Sequence, residues 1–241
     1  MPLSTRAETS SPHFGPDAHV ALGAYRGMVE EHAEGIIRAL RVIADTSEAQ
    51  SAKTEEYRPL LMRLSEDLTT DATAWFALPD GSYFATESSG MTDQTLKDRH
   101  YFPKLMAGQE TFGDLVISKS TGHRSVIIAV PVKVSGKVVG AVGVSLRVVL
   151  LSQLVDKHLR LPANSYFYAL ERDTRIVLHQ KAERMFQTPS DVGDEALGEE
   201  FKRVLRQESG AFDYTLNGKK MASIFEYSPK LGWYFFLAKE T

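Results

Sequence analysis

Apolar residues recur at helical spacing near the start of the chain: Leu22, Tyr25, Val29, Ile36, Leu40 and Ile43 stand three, four or seven positions apart. The run predicts an amphipathic helix over residues 18–45, with Asp17 as its N-cap. At 1.5 Å per residue such a helix is ~40 Å long, more than one small domain needs. Its stripe therefore either packs wholly on its own domain or lends part of itself to a second copy, and the length favours a homodimer contact. A polar joint over residues 47–54 follows, then a second stripe of Tyr57, Leu60, Leu61, Leu64 and Leu68, with Pro59 expected to begin or bend that helix.

From Thr73 the period changes to that of strands. Residues 74–78 and 83–86 flank Pro79-Asp80-Gly81, where proline presets φ and glycine tolerates a positive value, so a hairpin is predicted. After a polar loop at 87–97 come a short helix at 101–107 and three β-rich runs at 112–118, 125–134 and 137–146. A linking helix over 146–159 closes at Pro162, and then the order repeats. Strands at 165–170 and 175–179, a helix at 194–206 and strands at 212–216, 221–227 and 233–238 follow, with Asn217-Gly218 as a tight turn. Two α+β modules of ~80–90 residues behind a long helix are the expectation. The divisions are a tail at 1–17, disordered or an expression remnant, helices at 18–70, a first module at 71–146, and a linker helix with a second module at 147–241.

Composition narrows the functional classes. The 241 residues are 43% hydrophobic and 24% charged, which is globular, and 28 basic against 31 acidic residues with no basic run argue against a nucleic-acid partner. Cysteine is absent, which removes thiolate nucleophiles and cysteine-based zinc sites. No stretch of 18 apolar residues occurs, so the chain reads as a cytosolic protein or as the piece between two membrane spans. No metalloprotease, nucleophile-elbow or phosphate-loop motif appears, the histidines show no ligand spacing, and neither catalysis, metal nor cofactor is expected. Gly140-Ala141-Val142-Gly143 sits inside a strand pattern, where glycines thin the sheet for an approaching side chain or ligand.

Three spaced segments stand out: Asp98-Arg99-His100-Tyr101-Phe102, the run from Ile117-Ser118-Lys119-Ser120-Thr121-Gly122 through Ile127-Ile128-Ala129-Val130-Pro131-Val132, and Gly136-Lys137-Val138-Val139-Gly140-Ala141-Val142-Gly143. In this order, over most of the chain, they resemble the double Cache (PAS-like) sensor domains of bacterial chemoreceptors, sensor histidine kinases and diguanylate cyclases. The resemblance implies an α+β fold of two PAS-like modules, each an antiparallel sheet with flanking helices, behind the long helix. It also implies the periplasmic part of a membrane-anchored, dimeric receptor that binds a small molecule in the membrane-distal first module and reports occupancy through helix shifts.

Arg99 and Tyr101 carry the chemistry for a planar carboxylate, because a guanidinium offers a fork of two donors. In amino-acid-binding relatives the stretch reads Arg-x-Trp-Tyr, and Arg99, Tyr101 and Phe102 take the matching places. The alternative for Arg99 is a structural role, pairing with Asp98 or capping the short helix. Two aspartates that hold the ligand ammonium in those relatives are matched here by Ser118 and Ser145. Burying an ammonium without a counter-charge costs several kcal/mol, so a carboxylate or other metabolite lacking an amine is expected. Trp75 and Tyr83, on the first hairpin, are either pocket wall or core. In the second module Tyr166, Tyr168, Arg184, Tyr214 and Tyr227 offer a second site or simple packing. Two rival readings remain: a Cache module without a ligand, serving dimerisation or contact with a binding protein, and a soluble α+β enzyme.

Overall fold

The computed structural model describes residues 13–68, 72–88 and 90–241, so residues 1–12 of the expected tail lie outside the described residues. The chain divides into two units, one of the described residues up to Met28 together with Ser152–Thr241, the other Val29–Leu151. Both divisions fall inside helices, α1 (Pro16–Ala44) and α5 (Val148–His158), so the long helix is not a segment of its own.

Helix α1 starts two residues earlier than Asp17 as a cap requires. Pro16 is its first residue, suited to a position whose N–H needs no partner, and Asp17 lies in the first turn as an acid at the positive end. The apolar stripe is buried within the chain at Leu22, Tyr25, Val29, Ile36 and Leu40, while Val20 and Val42 are exposed. The polar joint holds one short turn, α2 (Ser47–Gln50), capped by the Thr46 hydroxyl, which accepts from the Ala49 N–H at 3.2 Å. Pro59 neither begins nor breaks α3 (Thr54–Asp67). The carbonyl it leaves without an i+4 donor belongs to Glu55, in the exposed first turn, where water can serve it.

In the Val29–Leu151 unit six strands form one antiparallel sheet, ordered β3-β2-β1-β6-β5-β4. They are β1 (Ala72–Ala77), β2 (Ser82–Ala85), β3 (Met91–Thr95), β4 (Thr111–Ile117), β5 (Arg124–Val134) and β6 (Lys137–Arg147), with α4 (Phe102–Met106) between β3 and β4. Strand β3 occupies the expected loop; it is a polar edge strand, mostly solvated, and so carries no alternating apolar signal. Alternation along β1 separates two faces. Phe76 points toward α3, where its ring stacks on Tyr57 at 4.1 Å and 12°, and Trp75 and Ala77 join the cluster on the opposite face.

The other unit carries a five-stranded antiparallel sheet, ordered β8-β7-β11-β10-β9. It comprises β7 (Ser165–Glu171), β8 (Ile176–His179), β9 (Ser209–Leu216), β10 (Lys219–Ser228) and β11 (Trp233–Glu240), with α6 (Pro189–Val192) and α7 (Glu195–Val204) after β8. Asn217 and Gly218 both take positive φ, 52° and 79°, as a type I′ hairpin demands. Tyr25 of α1 packs edgewise on Phe167 and Phe235 on one face of this sheet, at 5.1 and 4.9 Å. Phe201 of α7 covers the other face, against Tyr168, Phe212, Tyr214 and Phe236.

Candidate ligand-binding site

The inner face of the six-stranded sheet is made of small residues around one large ring. Ala77 and Ala85 of the hairpin, Ala129 of β5 and Ala141 of β6 all belong to this face. Gly143 pairs with Trp75 across β1 and β6, and a Cβ added at Gly143 would lie 2.3 Å from the Trp75 ring. On the opposite face Gly140 makes the same room for Phe76, at 2.5 Å. The glycines therefore admit side chains, and one of those side chains becomes a cleft wall.

That cleft is lined by Trp75, Tyr83, Leu96, Arg99, Tyr101, Val116, Ser118, Lys119, Ser120, Ile127 and Ser145, with a cavity of about 10 Å³. Such a volume is the room of about one water molecule. Six of the seven residues expected at the site meet here. Phe102 does not: the first residue of α4, it is buried in the core cluster with Leu105, because the turn that directs Tyr101 to the cleft carries the next side chain elsewhere.

The Arg99 backbone N–H donates to the Leu96 carbonyl at 2.9 Å, and its Nη2 donates to the Ile117 carbonyl at 2.6 Å. Its Nε is buried and has no hydrogen-bond partner. Neither structural role foreseen for Arg99 is taken up by its side chain. Asp98 pairs instead with Lys119, whose Nζ donates to it at 2.6 Å and to the Thr95 carbonyl at 2.7 Å. The short helix has Tyr101 at its cap position. Lys119 holds the exposed Asp98 carboxyl below its usual range, through the hydrogen bond first and charge second.

Tyr101 is buried, its ring 6.3 Å from that of Trp75. Burial raises its phenol pKa well above the ordinary value, with the Arg99 charge opposing, so the hydroxyl stays protonated. Ser118 begins a tight turn in which the Gly122 N–H donates to its carbonyl at 2.9 Å, with Gly122 at φ +70°. Its hydroxyl lies 3.2 Å from that of Ser120. Ser145 enters from β6, between Thr73 and Ile127 in register, and both serines are buried. Lys119 and Ser120 escaped the sequence reading although they stand in the quoted segment; only the curl of the turn toward the end of β3 brings them in. The lining thus holds two cations and no carboxylate. Among the described residues no group of acids and histidines is placed to hold a metal ion.

In the five-stranded module Tyr166, Tyr168, Arg184 and Tyr214 also meet at one cleft. Tyr227 does not join them; it packs on Tyr234 at 4.7 Å, with Arg172 over its ring.

Duplicated antiparallel sheets, each with helices on its faces and a small cleft on its inner side, define a two-module sensor-type fold. The chain belongs to the Cache domain family, whose dCache_1 model matches residues 19–241. Among solved structures it is similar to the ligand-binding domain of the amino acid chemoreceptor PctB of Pseudomonas aeruginosa PAO1 in complex with L-Arg. The identity there is 19%, covering 93% of this chain and 94% of that one, with a TM-score of 0.76. The sensor domain of the Vibrio cholerae histidine kinase DctB matches at 12% identity, 93% and 96% coverage and a TM-score of 0.70. The sensory domain of the Campylobacter jejuni chemoreceptor Tlp3 with isoleucine bound matches at 12% identity, 93% and 91% coverage and a TM-score of 0.65. Among curated proteins no sequence match reaches significance. No helix of the described residues is long and apolar enough to cross a membrane.

Proposed function

We propose that this chain is the extracytoplasmic ligand-sensing part of a membrane-anchored signalling receptor, and that its six-stranded module binds a small carboxylate that lacks an amine. The observation that carries the reading is the Arg99 Nε, buried without a partner in a cleft with a second cation and no acid. A carboxylate accepts from a guanidinium edge in a charge-assisted bond. An ammonium in the same place would be desolvated beside Arg99 and Lys119 with only the hydroxyls of Ser118, Ser120 and Ser145 to meet it. The solved relatives named above include domains holding L-Arg and isoleucine; the two serines at the ammonium end are what separates this chain from that chemistry. Residues 71–146 would then be the membrane-distal sensing module and 147–241 the proximal one, in a homodimer joined through α1 that passes occupancy on as a helix shift.

Calorimetric titration with short mono- and dicarboxylates, each beside its α-amino counterpart, tests this. The carboxylates bind, the amino acids bind far more weakly, and Arg99→Ala weakens carboxylate binding by about tenfold or more, the loss expected of a hydrogen bond to a charged group. Tight binding of an unmodified amino acid that Arg99→Ala leaves unchanged overturns the reading. The second reading, a module without a ligand that serves dimerisation or contact with a binding protein, draws on the narrowness of the cleft, about 10 Å³. It predicts no thermal shift with any member of the panel.

A further inference from the structure

The five-stranded module has a cleft of its own, about 30 Å³, between its inner face and α6 and α7. Its wall is apolar apart from a cluster of tyrosine hydroxyls, His179 and Arg184, and it includes no acid. The hydroxyls already serve one another: Tyr166 and Tyr214 lie 2.9 Å apart, and Tyr168 lies 3.4 Å from Ser223. The two nitrogen groups are differently placed.

His179 ends the edge strand β8 and is buried, its ring stacked beside those of Tyr166 and Tyr168. Its Nδ1 accepts the Lys181 backbone N–H at 2.7 Å. A ring nitrogen that accepts carries no proton, so the neutral imidazole bears its hydrogen on Nε2. The Arg184 Nη1 lies 3.4 Å from that Nε2. A guanidinium has donors and no lone pair. Two N–H groups thus face the same point of the cleft, and neither can satisfy the other. No acid side chain pairs with Arg184 among the described residues.

We propose that this cleft is a second ligand site, which takes a small monocarboxylate with a short apolar tail. One carboxylate oxygen accepts from His179 Nε2, the other from Arg184, and the tail lies against Tyr168, Phe201 and Leu216. A cavity of about 30 Å³ holds two to three waters, which a carboxylate displaces in full and a longer chain does not fit without movement of the wall. The site shares no residue with the Arg99 cleft and stands whether or not that cleft binds anything. A chain with both would read two metabolites of one chemical class.

Propionate is the probe. In protein labelled with ¹⁵N-histidine, assigned through His179→Gln, propionate shifts the His179 Nε2 resonance to saturation, and propionamide, equal in shape but uncharged, does not. Arg184→Gln at the half-exposed rim weakens this response by about tenfold or more, and an unaltered spectrum elsewhere certifies its fold. Arg99→Ala leaves it unchanged, which separates the two clefts. The proposal falls if propionate leaves the resonance in place up to its solubility, if propionamide acts equally well, if Arg184→Gln keeps full affinity, or if Arg99→Ala abolishes the response.

Discussion

In both sheets the first strand of the module lies beside the last, and the residue pair at the middle of that contact differs between them. In the six-stranded sheet Trp75 faces Gly143; in the five-stranded sheet Tyr168 faces Phe236, their rings stacked at 4.6 Å and 6°. The first arrangement uses one ring lying over a bare backbone, with alanines around it, and takes its polar lining from Ser145 on β6 and from loops that carry Arg99, Ser118 and Lys119. The second fills the same place with paired rings and extends them through Phe201, Phe212, Phe225 and Tyr234. One topology thus supports a cationic cleft edged by turns and an aromatic cleft edged by a strand end. At the middle of that strand pair the difference lies in side-chain volume at equivalent register positions.

Three measurements press on this contrast. Phe236→Ala should have the largest effect, because it empties the centre of a fully buried ring cluster; a loss of about 4 kcal/mol in urea unfolding is expected. A loss below about 1 kcal/mol would mean that the rings do not act as one packed body. Gly143→Val asks the converse question, inserting volume where the first module has none to spare. With the Trp75 ring and the strand backbone both in the way, about 3 kcal/mol should be lost, and carboxylate binding with it. Tolerance of valine would show that Trp75 is free to move and is not a fixed wall.

The third and smallest effect separates the modules by pH. Burial first, and the Arg184 and Lys181 charges second, push the His179 pKa down to about 3, against about 6.5 in an unfolded chain. The unfolded state therefore binds a proton that the folded state refuses, and the stability this group contributes is complete above pH 6.5 and declines as the pH falls toward 3. At pH 5 the loss should be about 2 kcal/mol relative to pH 8. His179→Gln should flatten that part of the urea-midpoint profile, and an unchanged slope in the variant would remove His179 as its source.

How far the residues alone carried the reading varies along the chain. Five of the helices and ten of the strands follow from periods that are written locally, since a buried face must be apolar at every second or every third to fourth position. Strand β3 has no buried face and left no such mark. Arg99, Ser118 and Ser145 were found through a family motif and not through any pattern of their own. Lys119 was passed over because its place depends on how one turn curls. The family motif puts Phe102 at the cleft beside Tyr101, whereas a helical start sends adjacent side chains in different directions.

By itself, then, the sequence determined the duplication, the family and the order of the elements apart from β3 and the one-turn helices α2 and α6, because each is encoded in short spacings. Only the tertiary structure decided which small residues lie beneath Trp75, that Asp98 is engaged by Lys119 so that Arg99 Nε stays without an acceptor, and that His179 and Arg184 present donors to a common point. The physical reason is that charge pairing, tautomer and free volume are properties of atoms brought together from distant parts of the chain. Local propensity has no means of recording them.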